Sequence, residues 1–230
     1  MNLLELISKF SVLMAAFCSI LITIDIVNGN KQHMMIMNFV WPITALYAGP
    51  LGVLAYYTIG RKSTHKKMMA AKKHNEPMPS KQKPFWQSVL VGALHCGSGC
   101  TLGDIIAEIF LLLVPVTVFG SNLAGSWTID FVFAFLLGII FQYYSIKPMK
   151  NLSPRQGLAA ALKADTLSLT AWQVGMYGGM AIAFFLIFKK RLEANDILFW
   201  FVMQIAMLLG FITAFPVNWW LIKKGIKEIM

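Results

Sequence analysis

Long apolar stretches alternate with short polar segments along the chain. Six stretches stand out, at residues 3–27, 37–60, 86–119, 129–146, 165–188 and 197–222. A helix rises about 1.5 Å per residue, so each stretch is long enough to cross a hydrocarbon layer about 30 Å thick. Lipid offers no hydrogen-bond partners to the backbone, and these continuous runs lack the alternation of membrane β-strands. The pattern therefore predicts an all-α polytopic membrane bundle of about six transmembrane helices.

The composition narrows the class of protein further. Of the 230 residues, 57% are hydrophobic and only 13% are charged, and the mean hydropathy is +0.65. Soluble domains carry about 25% charged residues, so a soluble fold is excluded. Six spans use most of the chain and leave no room for a second domain. We therefore expect residues 1–230 to form a single transmembrane helical domain.

Basic residues are concentrated between the apolar stretches. The chain has 20 Lys and Arg against 10 Asp and Glu, a net charge of +10. The largest basic segment is the loop at about 61–85, which we expect to lie in the cytoplasm against anionic lipid. With six spans, 16 basic residues fall on one side and 4 on the other, so both termini are predicted to be cytoplasmic. The excess positive charge thus indicates membrane topology and not nucleic-acid binding.

One basic trio does not fit this distribution. Lys189, Lys190 and Arg191 lie on the side that is otherwise poor in positive charge, where Glu193 and Asp196 only partly offset them. The trio would be explained if one helix pair were re-entrant instead of spanning the membrane.

The third apolar stretch carries four titratable side chains at a regular spacing. Every fourth residue from Cys96 to Glu108, through Cys100 and Asp104, is titratable, which puts the four on one stripe of a helix. An ionised carboxylate deep in a bilayer costs about 2.5 to 3.5 kcal/mol, so such residues usually line a cavity or bind a partner. Thiolates suit Cu(I) or Zn(II), and carboxylates suit harder ions and protons. The stripe predicts a cation path with thiols in the cytoplasmic half and carboxylates in the outer half.

The residues beside the stripe leave alternatives open. His95 points about 100° away from Cys96, so on a straight helix hydrogen bonding explains it as well as ligation does. Unwinding at Gly97 and Gly99 would bring His95 or backbone carbonyls to the thiols. Pro115 would loosen the outer half of the helix. Small residues here also fit simple helix packing, although packing does not explain the two acids.

The fifth stretch supplies further candidate ligands. Asp165, Met176 and Met180 share a helix face, and methionine thioethers suit Cu(I). Methionine is also common filler in apolar helices, so core packing is the alternative for this pair. Asp165, at the predicted start of its helix, is otherwise interpreted as an N-terminal cap or a charge partner of Lys163. Asp130, near the predicted outer end of the fourth helix, is interpreted as an interfacial cap.

Three sequence motifs give the chain a family resemblance. The first is a His-Cys-Gly-x-Gly-Cys-x-x-Gly-Asp pattern, and together the motifs occupy residues 95–104, 163–176 and 216–221. From Trp41 onward the chain resembles a family of prokaryotic integral membrane proteins that carries a domain-of-unknown-function label. The resemblance implies a bacterial or archaeal protein of the cytoplasmic membrane. It implies no activity, so no catalytic residues follow from it.

Taken together, the patterns favour a membrane protein that binds and transports a transition-metal cation of the Cu(I) or Zn(II) type. The candidate metal ligands are Cys96, Cys100, His95, Asp104, Glu108, Met176, Met180 and Asp165. The alternatives are a thiol redox protein, in which the two cysteines exchange electrons with quinone or a partner disulfide, and a structural assembly factor. No nucleotide-binding fingerprint is present, so transport would be passive, ion-coupled or dependent on a partner.

The expected partners follow from this interpretation. They are the lipid bilayer, the metal ion and either a soluble metal-delivery protein or a second copy of the chain, and they include no nucleic acid. No catalytic residues are predicted, and a role other than that of an enzyme is favoured.

Overall fold

The computed structural model describes residues 3–77, 79–150 and 152–229. Within these residues the chain forms eight α-helices and no β-strand beyond two isolated bridges. The helices are α1 Leu3–Val27, α2 Met37–Ala48, α3 Pro50–Thr58, α4 His65–Lys73, α5 Phe85–Leu113, α6 Asn122–Lys150, α7 Pro154–Ala181 and α8 Ile197–Lys223. In the described part of the chain, five of them (α1, α5, α6, α7 and α8) are long and apolar enough to cross a membrane. The all-α class is therefore confirmed, and the five long apolar helices indicate a multi-pass membrane protein.

The second predicted span consists of two short helices that fold back on each other. After α2, Gly49 has φ 52° and ψ −128°, a conformation that residues with side chains rarely adopt. A Cβ built on Gly52 in α3 would lie 3.0 Å from the Cα of Ala45 in α2. In a straight helix the two residues would be about 10 Å apart, because each residue rises about 1.5 Å. The prediction of one helix over 37–60 is therefore wrong.

Both ends of this α2–α3 hairpin lie close together. Before α2, the backbone N–H of His33 donates to the carbonyl of Ser63 at 2.9 Å. After α3, the backbone N–H of His65 donates to the carbonyl of Lys31 at 2.8 Å. The hairpin therefore leaves the bundle at the point where it entered.

The tip of the hairpin reaches the interior of the bundle. The side-chain amide of Gln204 in α8 donates to the carbonyl of Leu46 at 2.8 Å. Tyr47 packs edge to face on Trp172 of α7, with 5.6 Å between the ring centroids. A helix that ends away from water leaves carbonyls without partners, and the Gln204 amide satisfies one of them.

The basic loop at 61–83 lies where α8 ends. At its start, Arg61 pairs with Asp25 near the end of α1, at 3.1 Å. Just after the loop, Phe85 packs on Trp219 near the end of α8, with 4.8 Å between the ring centroids. We call this side of the bundle the basic end and the opposite side the far end.

α1 and α8 run in the same direction, so the Leu3 and Lys223 ends of these helices lie apart. Two turns into each helix, the Ser11 hydroxyl of α1 donates to the Gln204 carbonyl of α8 at 2.7 Å. Because Val27 and Lys223 finish at the basic end, Leu3 lies at the far end.

α5 is the central helix, and small residues bring it close to α6. A Cβ on Gly99 would lie 2.8 Å from the Cα of Gly138, and a Cβ on Gly103 would lie 2.4 Å from the Cα of Ala134. Small residues four positions apart on both helices allow this close backbone approach. α5 stays helical throughout, so the unwinding expected at Gly97 and Gly99 does not occur.

α5 also ends earlier than predicted. It ends at Leu113, whereas the apolar pattern extends to Phe119. The residue before a proline is disfavoured in the helical conformation, and Val114 has φ −131° and ψ 88°. Pro115 therefore follows the end of the helix and does not loosen its outer half.

α6 and α7, in contrast, begin earlier than the apolar pattern predicts. α6 begins at Asn122 and α7 begins at Pro154. Ser153 caps α7 through a capping box, in which its hydroxyl accepts from the backbone of Gln156 and its backbone N–H donates to the Gln156 side chain. The first turns of both helices mix small, polar or basic residues with apolar ones, so the apolar pattern does not detect them. Asp165 consequently lies three turns inside α7 and not at its start.

Candidate functional site

The four residues of the predicted stripe lie inside the bundle. Cys96, Cys100 and Asp104 are 0% exposed, and Glu108 is 7% exposed. Because α5 starts at the basic end, the thiols lie nearer that end and the carboxylates lie nearer the far end. Burial alone does not single out the stripe, since most of α5 between Ser88 and Glu108 is buried.

A third carboxylate joins the two on α5. Asp130 of α6 is 1% exposed, and its side chain lies with that of Glu108 in the lining of one small void. The interpretation of Asp130 as an interfacial cap is wrong, because α6 begins at Asn122 and Asp130 lies two turns inside it. We call Asp104, Glu108 and Asp130 the carboxylate cluster.

Glu108 and Asp130 lie side by side without charge repulsion if the pair holds a proton. Two ionised carboxylates have no hydrogen to share and repel each other at contact distance. The nearest cation is Arg191, in the connection between α7 and α8, which acts electrostatically on both carboxyl groups. Its guanidinium also donates to the hydroxyl of Ser126 in α6. The far end of the cluster therefore combines a carboxyl pair with a single arginine.

Asp104, one helical turn from Glu108, has a neutral partner. The amide of Gln173 in α7 donates to Oδ1 of Asp104 at 3.1 Å and to Oδ2 at 3.4 Å. In the described residues no Lys or Arg forms an ion pair with this carboxylate. An amide supports a carboxylate without cancelling its charge, so Asp104 retains the capacity to bind a cation.

A small void lies beside the carboxylate cluster. It has a volume of about 10 Å³, and its lining includes Glu108, Ser126, Asp130, Met176, Met180, Arg191 and Met203. A void of this size has room for about one water molecule. The two methionines predicted as ligands are 1% and 2% exposed, and they face carboxylates and an arginine here.

Asp104 also lines a larger cavity at the tip of the α2–α3 hairpin. This cavity has a volume of about 150 Å³, and its lining includes Leu46, Tyr47, Thr101 and Met207. Its walls are almost entirely apolar, and Asp104 is the only ionisable carboxylate among the residues that line it. Asp104 therefore lies between a wide apolar cavity and the narrow void beside Glu108.

The two thiols form a separate group. Cys96 and Cys100 are free and in contact with each other, and Tyr47 from the hairpin tip lies near both. The ring of Trp172 lies against Gly97 on the same segment of α5. In the part of the chain that the structure describes, no three His, Cys, Asp or Glu side chains are grouped so as to hold a metal ion. The thiols and the carboxylates are successive positions along α5, not one centre.

His95 faces α6 and not the thiols. Its Nε2 is 2.8 Å from the hydroxyl of Ser145, and its ring packs against Phe141 with 6.1 Å between centroids. This geometry corresponds to the hydrogen-bonding interpretation of His95. Its Nδ1 is buried and has no hydrogen-bond partner among the described residues.

Asp165 lies apart from the other candidate ligands, towards the basic end. Its Oδ1 is 2.8 Å from Nζ of Lys227, and both side chains are 0% exposed. The interpretations of Asp165 as an N-terminal cap or a partner of Lys163 are both wrong, because Ser153 is the cap and Lys163 is exposed. Met176 follows Asp165 by eleven residues, about 16 Å along the helix. Asp165 therefore does not belong to the carboxylate cluster.

Three residues of these groups were not predicted from the sequence as site residues. Asp130 carried a signal, since it is an acid followed by a long apolar run. Arg191 carried another, since it belongs to the trio that did not fit the charge distribution. Lys227 carried none, because it is one of several basic residues after the last apolar stretch.

Comparison with known proteins places the chain in a family. No curated protein and no solved structure matches it. The family model described as Domain of unknown function (DUF4396) matches residues 85–227. This range is more than half of the chain, runs from α5 to Lys227 and includes the carboxylate cluster and both thiols of the stripe. The chain therefore belongs to the DUF4396 family.

Proposed function

We propose that the protein carries cations across the cytoplasmic membrane of a prokaryote, with the acids of the carboxylate cluster as successive binding positions. The observation that carries the proposal is the burial of three acids on α5 and α6 beside one arginine. Ionised carboxylates are costly at this depth, with about 2.5 to 3.5 kcal/mol for an Asp at a helix centre. A bound cation or proton removes that cost, because it cancels the charge.

A transition-metal ion that exchanges with protons suits the residues around the void. Met176 and Met180 supply thioethers, which soft ions such as Cu(I) accept, and the carboxyl groups supply oxygens for Zn(II). The proton shared by Glu108 and Asp130 has to leave when a metal ion binds, because a carboxyl oxygen ligates in its ionised form. Cys96 and Cys100 form a second, softer station two turns nearer the basic end.

The proposed topology has five crossings and one re-entrant hairpin, and it replaces the six-span expectation. The basic end is placed in the cytoplasm, so the Leu3 end of α1 lies outside. Compared with the six-span count, Lys31 moves to the cytoplasmic side and Lys9 moves to the outer side. The balance of 16 basic residues against 4 is therefore unchanged, as the positive-inside rule requires. The basic trio remains outside. There Arg191 donates to the hydroxyl of Ser126 and interacts electrostatically with the carboxyl pair.

Ion flux into liposomes containing the purified protein tests this function. Reduced protein is reconstituted with a zinc-sensitive or copper-sensitive dye inside the vesicles, and flux is compared for Asp104→Asn, Glu108→Gln and Asp130→Asn. We expect each variant to lose at least tenfold in initial rate. Glu193→Gln is the matched control, since Glu193 is an exposed acid at the far end.

The thiols are tested in the same assay. Cys96→Ser and Cys100→Ser should slow the flux, whereas Cys18→Ser should not, although Cys18 is also buried at 3% exposure. Wild-type flux no faster than that of empty liposomes, or flux at the wild-type rate in all three carboxylate variants, would overturn the proposal.

The thiol redox alternative has less support. Cys96 and Cys100 are 0% exposed, so neither a partner disulfide nor a quinone can contact their sulfurs in this conformation. Reaction by thiol–disulfide exchange requires access to the attacking sulfur. Reversible oxidation of both thiols at a defined potential, in protein that binds no metal, would favour this alternative.

A further inference from the structure

A buried ammonium group lies at the basic end of the bundle. After α8, the chain turns at Gly225, which has φ 66°, and the backbone N–H of Lys227 donates to the carbonyl of Leu221 at 3.2 Å. This turn returns the Lys227 side chain to the interior, where it is 0% exposed. Lysines near the ends of membrane helices normally extend to the headgroups, so an inward lysine indicates a specific partner.

The ammonium of Lys227 is held entirely by oxygen atoms. Its Nζ lies 2.8 Å from Oδ1 of Asp165, 3.3 Å from the carbonyl of Gly92 and 3.5 Å from the hydroxyl of Ser168. An ammonium has three hydrogens to donate, and these three acceptors come from α5 and α7. Each hydrogen of the Lys227 ammonium thus has an acceptor, and all three acceptors are on helices of the bundle.

Two further oxygens in the same place have no partner. Oδ2 of Asp165 and Oδ1 of Asn218 are buried and accept no hydrogen bond within the described residues. The amide nitrogen of Asn218 donates to Ser168 at 2.7 Å and to the carbonyl of Ala214 at 2.9 Å, which fixes the side chain. Oδ1 then lies 3.9 Å from the position of a Cβ on Gly92. Buried oxygens without a donor are costly, and a cation would satisfy both.

We propose that Asp165, Ser168, Asn218 and the carbonyl of Gly92 form a binding site for a monovalent alkali cation. In this conformation Lys227 occupies the site as a tethered substitute for that cation. Carboxylate, carbonyl, hydroxyl and amide oxygens are the ligands of hard cations. The site has one negative charge, so exchange of the ammonium for a monovalent ion keeps the buried charge balanced, whereas a divalent ion would not. This site is distinct from the carboxylate cluster and does not depend on metal transport.

Thermal unfolding of Lys227→Met in detergent tests the proposal. The variant keeps an unbranched side chain up to the Cε position but leaves Asp165 without its cation. Unfolding is measured in sodium or potassium chloride and in choline chloride of equal ionic strength, since choline is too large for the site. An ion that binds only the folded state raises the melting temperature, and we expect a shift of about 3 °C or more for Lys227→Met. The same melting temperature in all three salts would overturn the proposal.

The double variant Asp165→Asn with Lys227→Met is the matched control. It removes both charges, so it should fold and unfold at the same temperature in alkali and choline salts. A shift in the double variant equal to that of the single variant would show that the ion binds elsewhere. A response to calcium or magnesium but not to sodium or potassium would also contradict the monovalent assignment.

A measurement on the wild type covers the case in which Lys227→Met does not fold. Alkali cations at high concentration compete with the tethered ammonium, so residues 224–229 should exchange their amide hydrogens faster in sodium or potassium chloride than in choline chloride. Equal exchange in the salts would overturn the proposal. None of these readouts involves transport. A failure of the alkali-cation proposal is therefore distinguishable from a failure of the proposed transport function.

Discussion

The side-chain amide of Gln173 donates to both carboxylate oxygens of Asp104, at 3.1 Å and 3.4 Å. This contact joins α7 to α5 about 14 Å from the Leu113 end of α5. It supports a buried acid by hydrogen bonding and brings no opposite charge to it. In the proposed function, this contact holds Asp104 in place for the cation.

Replacing Gln173 with leucine should lower the free energy of unfolding by about 1 to 3 kcal/mol, because Asp104 loses its donor. Thermal unfolding in detergent measures the change. Gln142 is the matched control, since it is also 0% exposed and its amide has no hydrogen-bond partner among the described residues. Gln142→Leu should therefore change stability little. Equal losses in the two variants would mean that the Gln173 contact has no specific role.

Binding of a metal ion should release about one proton from the wild type, because the Glu108–Asp130 pair has to give up its shared proton. Asp130→Asn should release none from this pair, since an asparagine amide donates to Glu108 without holding a titratable proton. A pH indicator in weakly buffered detergent solution detects the release after zinc is added. Glu193→Gln should release as many protons as the wild type. Undiminished release from Asp130→Asn would rule out the shared proton.

Gly103→Ala should separate α5 from α6. The added Cβ would lie 2.4 Å from the Cα and 2.5 Å from the N of Ala134, and these backbone atoms cannot move aside. Overpacking of this kind costs about 1 to 3 kcal/mol or more, measured as a lower melting temperature. Gly178→Ala is the control, because no atom lies within 4 Å of its Cβ position. There the better helix propensity of alanine should be neutral or stabilise by up to about 1 kcal/mol.

Cysteine labelling from either side of the membrane tests the re-entrant hairpin. Lys31→Cys and Lys66→Cys should both react with an impermeant maleimide from the cytoplasmic side, and Glu5→Cys should react from the outside. The native cysteines are at most 3% exposed, so they give little background. A spanning helix over 37–60 would instead place positions 31 and 66 on opposite sides. Labelling of Lys31→Cys from the outside would therefore exclude the hairpin.

The class of the protein and the inner face of α5 were predictable because they depend on properties that act over many residues. Hydropathy summed over a span identifies a membrane helix, and a spacing of four places Cys96 and Glu108 on one stripe. Hydropathy does not predict the hairpin, because two short apolar helices have the same hydropathy as one long helix. The backbone reversal depends on Gly49 and the following Pro50, a dipeptide that marks turns.

The positions of the acids on α6 and α7 depended on where these helices begin. The apolar pattern predicts both starts too late, because the first turns contain small, polar or basic residues among the apolar ones. It therefore predicts Asp130 and Asp165 at helix ends, whereas both lie buried inside helices. The contact of Asp165 with Lys227 depends on a turn beyond α8 that packs back into the bundle. No local pattern encodes such a contact, because its two residues are 62 positions apart in the chain.

The reversal at Gly49 leaves a single proposed crossing, α1, ahead of the four in the segment that matches the DUF4396 family. Residues 85–227 begin and end at the basic end, so both junctions of this segment face the same compartment. Deletion of the first 84 residues would remove α1 and the hairpin, which pack on one side of α5 and α8, and would leave the sequence of all four remaining helices complete.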